Sequence, residues 1–227
     1  MKLFAFVVSL FFTTAVYSQQ CSCATDSSLS EIISCEKILF KNNAQLYWQY
    51  NCDSSWLTFV SSAGKKNILY SLDDGLQIYT EKLGYSYAAE YNASFLIQNN
   101  LISGCCTPPE YLLFNKATGK EIKNLGSLIF YSEEIKYPLV VFIEPKKMNS
   151  LLFYNVNTQK NFSVALPVNK IATTLKKGAE RYAEYLFEET DISQNTFSTS
   201  LRYQQPGNND KWYNYKIVVD LKKYGYQ

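Results

Sequence analysis

Histidine is absent from the 227 residues of this chain, and that absence decides which chemistry is open to it. Ser-His-Asp and Cys-His nucleophiles need an imidazole base near neutral pH, and catalytic zinc sites are usually built on one. Carboxylates, thiols, amines and aromatic rings remain. The acids Asp73-Asp74, Glu133-Glu134 and Glu188-Glu189 are neighbours in sequence. Neighbours on a strand point to opposite faces, so none of these is a functional pair. A glycosidase needs two carboxyls facing one sugar. Glu90 and Glu133 occupy equivalent places in consecutive units of the repeat described below. They are therefore the candidate catalytic carboxylates, set against the plainer reading of solvated acids at strand ends.

Aromatic side chains are the second resource, with 19 Tyr, 14 Phe and 3 Trp. Flat rings bind apolar and CH-rich surfaces, and Tyr adds a polar tip. Trp48, Trp212 and Tyr213 lie in alternating segments and are the candidate binding residues, with Tyr47 and Tyr50 nearby. Trp56 sits in a continuous apolar run and reads as core.

Thiols are the third. Cys21, Cys23, Cys35, Cys52, Cys105 and Cys106 all fall in the first half of the chain. Four thiolates from Cys-x-Cys and Cys-Cys would hold a soft cation. An even count behind an export signal instead reads as disulfides. Bonds within Cys21/Cys23 or within Cys105/Cys106 would close very small rings. The expected pairing therefore joins Cys21 and Cys23 to Cys105 and Cys106, leaving Cys35 with Cys52. No metal and no cofactor are expected. The segment from Ser103 to Pro109 reads as an insertion that anchors the N-terminal arm. Asn92-Ala93-Ser94 and Asn161-Phe162-Ser163 match glycosylation sequons.

The elements that must position these residues are mostly β. Lys2 and the apolar stretch Leu3 to Val16, ending at Val16-Tyr17-Ser18, have the layout of a secretory signal peptide, with cleavage expected after Ser18. No later apolar run is long enough for a membrane helix. Without Lys2 the chain carries 21 basic and 20 acidic residues. Only Arg181 and Arg202 bear guanidinium groups, so no cationic stripe exists for a nucleic acid. The expected organisation is a signal peptide over 1–18, a disulfide-bearing arm over 19–43 and one all-β domain over 44–227.

Within that domain Leu128 to Leu166 holds four short strand-like runs separated by turn residues. The same order recurs with a period of about 40 to 45 residues, the period of propeller blades. Leu113 to Lys120 aligns with Phe153 to Lys160, and Leu69 to Gly75 aligns with the first of these. Units are expected near 44–84, 85–126, 127–167 and 168–227. Continuously apolar runs such as Leu139 to Ile143 read as strands covered on both faces, and alternating ones as half-exposed. The fold class is antiparallel sheets in repeated four-strand units, propeller-like and small or irregular, with a β-sandwich or barrel as the alternative. Leu76 and Ile78 are expected in a strand, Asn169 to Glu189 as a loop leading into a strand, and Ser28 as the cap of a short helix. The run from Cys35 to Phe40 is expected to complete the last unit of a ring.

These features point to a protein secreted or held in the periplasm or cell envelope. It is more plausibly non-enzymatic than an enzyme, and binds a protein, peptide or glycan. A carboxylate-dependent carbohydrate hydrolase and a structural envelope protein are the alternatives.

Overall fold

The computed structural model describes residues 21–73, 75–101, 107–133, 136–178 and 180–226. The expected signal peptide, Cys105, Cys106 and Glu134 lie outside them. Four antiparallel sheets follow one another along the chain, each a simple meander. The first contains β1 (Ile38–Leu39), β2 (Gln45–Tyr50), β3 (Ser54–Val60) and β4 (Lys66–Asp73). The second contains β5 (Tyr85–Glu90), β6 (Ser94–Asn99), β7 (Glu110–Asn115) and β8 (Glu121–Ser127). The third contains β9 (Phe130–Tyr131), β10 (Leu139–Ile143), β11 (Ser150–Asn155) and β12 (Asn161–Ala165). The fourth has three strands, β13 (Phe187–Ser193), β14 (Thr196–Gln205) and β15 (Asn208–Asp220). The fold is mostly β, and among the described residues no sheet closes into a barrel.

The solid apolar runs are explained by what covers them. Along β6, Phe95 and Ile97 pack towards the first sheet, whereas Leu96 between them packs towards the third. Along β7, Leu112 and Phe114 face the first sheet, and Tyr111 and Leu113 face the third. In the third sheet Val140 and Tyr154 look back to the second, while Leu139, Val141, Leu151 and Phe153 look on to the fourth. Three apolar cores result, each between two consecutive sheets. The middle sheets are therefore apolar on both faces, and their outer strands β8 and β12 are largely exposed.

Equivalent turns fix the register of the repeat. Asn115 N–H donates to Lys120 O and Gly119 N–H to Asn115 O. Asn155 with Lys160 and Gln159 repeats this arrangement, and Ser61 with Lys65 and Gly64 forms a turn one residue shorter at the corresponding place in the first sheet. The partner of the β7–β8 turn in the first sheet is thus the β3–β4 turn at 60–65. The aligned stretch Leu69 to Gly75 falls instead at the end of β4, so this part of the expected repeat is corrected. Its similarity was that of any strand running into a polar turn. Leu76 lies in that turn, and a 3-10 segment follows at Gln77–Tyr79, not a strand.

Three further expectations change. Ile38 and Leu39 pair with Leu46 and Gln45. The N-terminal strand therefore completes the first sheet and not the last, because the short turn at 40–44 returns the chain directly onto it. Residues Val168–Lys176 form a helix, α2, with Ile171 and Thr174 buried, and the chain turns at Gly178 with φ +68°. The helical spacing of Ile171 and Leu175 outweighed the strand alternation that begins only further on. The one-turn helix α1 (Leu29–Ile32) exists, but Ser28 does not cap it. Its hydroxyl donates to Asp26 Oδ1 at 2.6 Å.

The disulfides join Cys21 to Cys35 and Cys23 to Cys52. This overturns the expected Cys35–Cys52 bond and the bonds from Cys21 and Cys23 to Cys105 and Cys106. Cys21 forms a parallel bridge beside Tyr50 at the end of β2, which brings Cys23 next to Cys52. The turn at α1 then returns Cys35 to Cys21. The first bond closes the arm on itself and the second staples it to the body. Among the described residues no helix is long and apolar enough to cross a membrane.

We expect Cys23→Ser/Cys52→Ser to lower unfolding stability by about 3 kcal/mol in the chain-entropy picture, read from urea transitions. Peptide mapping without reductant should recover Cys21–Cys35 and Cys23–Cys52. A Cys35–Cys52 peptide would contradict the arm as described.

Candidate functional site

The candidate carboxylates come first. Glu90, at the end of β5, is bound to Lys116 at 2.6 Å, with both side chains largely buried. The same Glu90 oxygen accepts the Lys41 N–H at 2.9 Å, and the Lys116 ammonium also donates to Tyr91 O at 2.7 Å. Asn42 completes the contact by donating to Lys116 O. Glu90 thus clasps the β1–β2 turn of the first sheet to the second. Glu133 lies in the loop after β9 and is exposed. Both acids lie near Tyr87, which feels the charge of each.

Burial, more than those charges, pushes the Tyr87 phenol up to about 12. Burial with Tyr131 does the same to Tyr111, also to about 12. Tyr91, almost wholly inaccessible, is displaced further in the same direction by burial. Tyr91, Tyr111 and Tyr131 lie together between the second and third sheets, with the Tyr111 and Tyr131 rings 5.5 Å apart, whereas Tyr87 is 36% exposed and stands at the seam with the first sheet.

The aromatic candidates divide between sheets. Trp212 and Tyr213 lie on β15 of the fourth sheet, and Trp48 lies on β2 of the first, so the structure does not gather them onto one platform. The Arg202 guanidinium lies 4.2 Å from the Trp212 ring centre and is itself bound to Glu188 at 2.5 Å. Tyr213 packs on Tyr203 at 5.7 Å, with the Lys211 ammonium 5.2 Å from its ring centre. Trp56 is half-buried, and its indole N–H donates to Gln49 Oε1 at 3.2 Å. Trp48 is 5% exposed, and its indole N–H donates to Tyr85 O at 3.3 Å.

Trp48 nevertheless lines a cavity of about 290 Å³ at the seam between the first two sheets. Ile38, Leu46 and Leu57 supply apolar lining, Ser86 and Tyr87 of β5 add to it, and Ser34, Glu36 and Glu81 supply polar groups. Three elements build this cavity, and each has a local cause. The arm is set in place by its disulfides. The Ser34 N–H donates to Glu81 Oε1 at 2.9 Å, tying the arm to the 3-10 segment Glu81–Leu83. That segment is held by Gln77, whose amide donates to Asn51 O, and by the Ser55–Thr80 hydroxyl pair at 2.8 Å. It ends at Gly84, where a Cβ would stand 1.7 Å from Tyr79 O, so no other residue fits there without moving the backbone.

A second cavity of about 530 Å³ adjoins the first, sharing Ser34 and Glu81 and adding Glu31, Ile32 and Leu83. The sequence pointed to Trp48 but not to Glu36, Glu81 or Tyr87, which come together only when the arm folds over the seam. No spacing signal announces that contact.

Among the described residues no group of three or more Cys, Asp or Glu is placed to hold a metal ion. No family model matches the chain, and no curated protein is significantly similar to it.

Three outcomes follow from these environments. Lys116→Met leaves the Glu90 carboxylate buried without its partner, and should cost about 3–5 kcal/mol in urea unfolding. Glu133→Gln on the exposed loop should change stability by less than about 0.5 kcal/mol. In a spectrophotometric titration Tyr87 and Tyr111 should ionise near pH 12, not 10. Their folded values lie above the unfolded value, so their contribution is complete below about pH 10 and is lost between about 10 and 12 as the unfolded chain ionises first. Stability should fall across that window. A single tyrosine transition near pH 10 with no loss of stability would contradict the buried phenols.

Proposed function

We propose that this chain is an exported, non-enzymatic β module that binds a protein, peptide or glycan partner at the cavity beneath its N-terminal arm. The observation that carries the proposal is the cavity itself: a concave, mainly apolar recess with a few convergent polar groups, the usual form of a binding site. Its walls come from a stapled arm and two rigid sheets, so it is largely formed before a ligand arrives. The disulfides fit an oxidising compartment, which agrees with export directed by residues 1–18.

A hydrolase using Glu90 and Glu133 has less support. The Glu90 carboxylate is engaged by the Lys116 ammonium and the Lys41 N–H, and an inter-sheet clasp accounts for it. Trp212 and Arg202 offer a second aromatic surface, but the guanidinium already lies over the indole.

The test uses the mature, disulfide-intact chain on peptide and glycan arrays, followed by titration of any hit against wild type and Tyr87→Ala. Tyr87 is only partly buried, so the variant should fold. We expect at least one class of ligand to bind, and binding to weaken about tenfold or more in the variant, the size expected for removing an aromatic anchor. A ligand whose affinity is unchanged in Tyr87→Ala, or no ligand of any class, would overturn the proposal. N-terminal sequencing of the exported protein should start at Gln19.

A further inference from the structure

The lining of the two adjoining cavities has a one-sided charge. Glu36 and Glu81 line the first, and Glu31 and Glu81 line the second. No lysine or arginine lines either one among the described residues. This contrasts with the chain as a whole, where basic residues slightly outnumber acidic ones. The acids come from separate elements. Glu31 belongs to the helical turn of the arm, Glu36 to the extended segment behind it, and Glu81 to the 3-10 segment after β4. They therefore meet along the cavity edge through folding, not as one charged run.

Between the acids the lining is apolar and aromatic. Trp48 and Tyr87 line the first cavity, with Ile38, Leu46 and Leu57. Ile32 and Leu83 border the second, at 37% and 59% exposure. Aromatic rings next to carboxylates suit a cation. The ring face carries partial negative charge, and the carboxylate supplies a full one. The wall already accommodates such a group at its border, where the Lys37 ammonium stands 5.3 Å from the Tyr47 ring centre. An acidic ligand would be repelled by the carboxylates.

The two cavities lie side by side, with Ser34 and Glu81, bonded to each other, lining both. A small amine would fill only one of them. An extended chain crossing the Ser34–Glu81 contact, with a cationic side chain in the first cavity and an apolar one against Ile32 and Leu83, would occupy both. We infer that the paired cavities form one groove for a basic peptide segment, with a lysine or arginine side chain seated against Trp48 and Tyr87 and met by the Glu36 and Glu81 carboxylates. This inference rests on the binding role proposed above and narrows its ligand.

The experiment uses the mature chain with both disulfides intact and fluorescently labelled short peptides in which leucine alternates with lysine, glutamine or glutamate. Anisotropy titrations should show the lysine peptide binding most tightly, the glutamine peptide weakly and the glutamate peptide least. Affinity for the lysine peptide should fall as salt is raised. Glu36→Gln/Glu81→Gln keeps the hydrogen-bond acceptor facing Ser34 and should weaken that peptide by about tenfold, the sum of two partly exposed charge contacts. Glu36→Gln alone, on an exposed side chain, should weaken it by about threefold. Glu188→Gln in the fourth sheet should leave it unchanged.

Equal binding of the glutamate and lysine peptides, or an unaltered affinity in both Glu36 variants, would overturn the inference. If a glycan or neutral peptide binds instead and Tyr87→Ala weakens it, the ligand assignment falls while the binding site stands. If Tyr87→Ala leaves every ligand unaffected, both fall.

Discussion

Phe95 is completely buried and has three other phenylalanine rings around it. Phe40 lies 4.9 Å away, Phe59 5.5 Å and Phe114 5.4 Å between ring centres. Phe40 and Phe59 belong to the first sheet region, Phe95 and Phe114 to the second. Their contact removes apolar surface from water on both sheets at once, and full burial of each such ring is worth about 2–3 kcal/mol. The remaining architecture follows the same rule. Each sheet is too apolar to stand alone, so it is stable only against its neighbour, and a middle sheet must be apolar on both faces. Phe153 plays the corresponding part between the third and fourth sheets, 4.9 Å edge-on to Phe197 and 4.6 Å from Phe162.

That constraint also fixes where irregular structure can go. The sheet faces at the first seam are occupied by packing, so the arm and the 3-10 segments at 77–83 settle beside it, whereas α2 and the 3-10 segment Ala183–Leu186 send Ile171 and Leu186 into the core between the third and fourth sheets. At the first seam Phe40 touches Tyr87 at 6.1 Å, and the Tyr70 and Tyr85 rings stack across the sheets at 3.6 Å. The polar clasp of Glu90 with Lys116 lies beside this aromatic layer and gives the seam a defined register that apolar contact alone would not provide. The cavity is the space left where the arm crosses the seam. Its apolar lining is an extension of the core and its acidic lining comes from the covering segments. The binding proposal follows from this joining of a rigid aromatic floor with a charged, stapled cover.

Much of the sheet structure was legible in the sequence for a physical reason. Leu139 to Ile143 is covered on both faces and reads as a solid apolar run. Phe162 to Ala165 is half-exposed and reads as an alternating one. The turns carry Asn and Gly where the backbone needs them, as at Asn115 and Gly119. The errors arose where local signals compete or where long-range contact decides. Leu69 to Gly75 imitates the β7 turn because every strand entering a polar turn looks alike. The stretch from 168 to 186 satisfies both helical and strand spacing, and only packing of Ile171 against the third and fourth sheets selects the helix. The disulfide pairing depends on Cys21 lying beside Tyr50, a contact that no spacing of cysteines encodes. Trp48 was singled out from an alternating pattern, yet β2 buries Leu46, Tyr47 and Trp48 in succession, and Glu36, Glu81 and Tyr87 come beside it only at the seam.

The most direct measurement of the central claim, that the seam beneath the arm is the binding surface, is amide hydrogen exchange of the mature, disulfide-intact chain with and without its bound peptide. Protection should appear at 31–38, 46–48 and 81–87, with the fourth sheet unchanged. Protection confined to the strands around Arg202 and Trp212, with none at the arm or the seam, would contradict it.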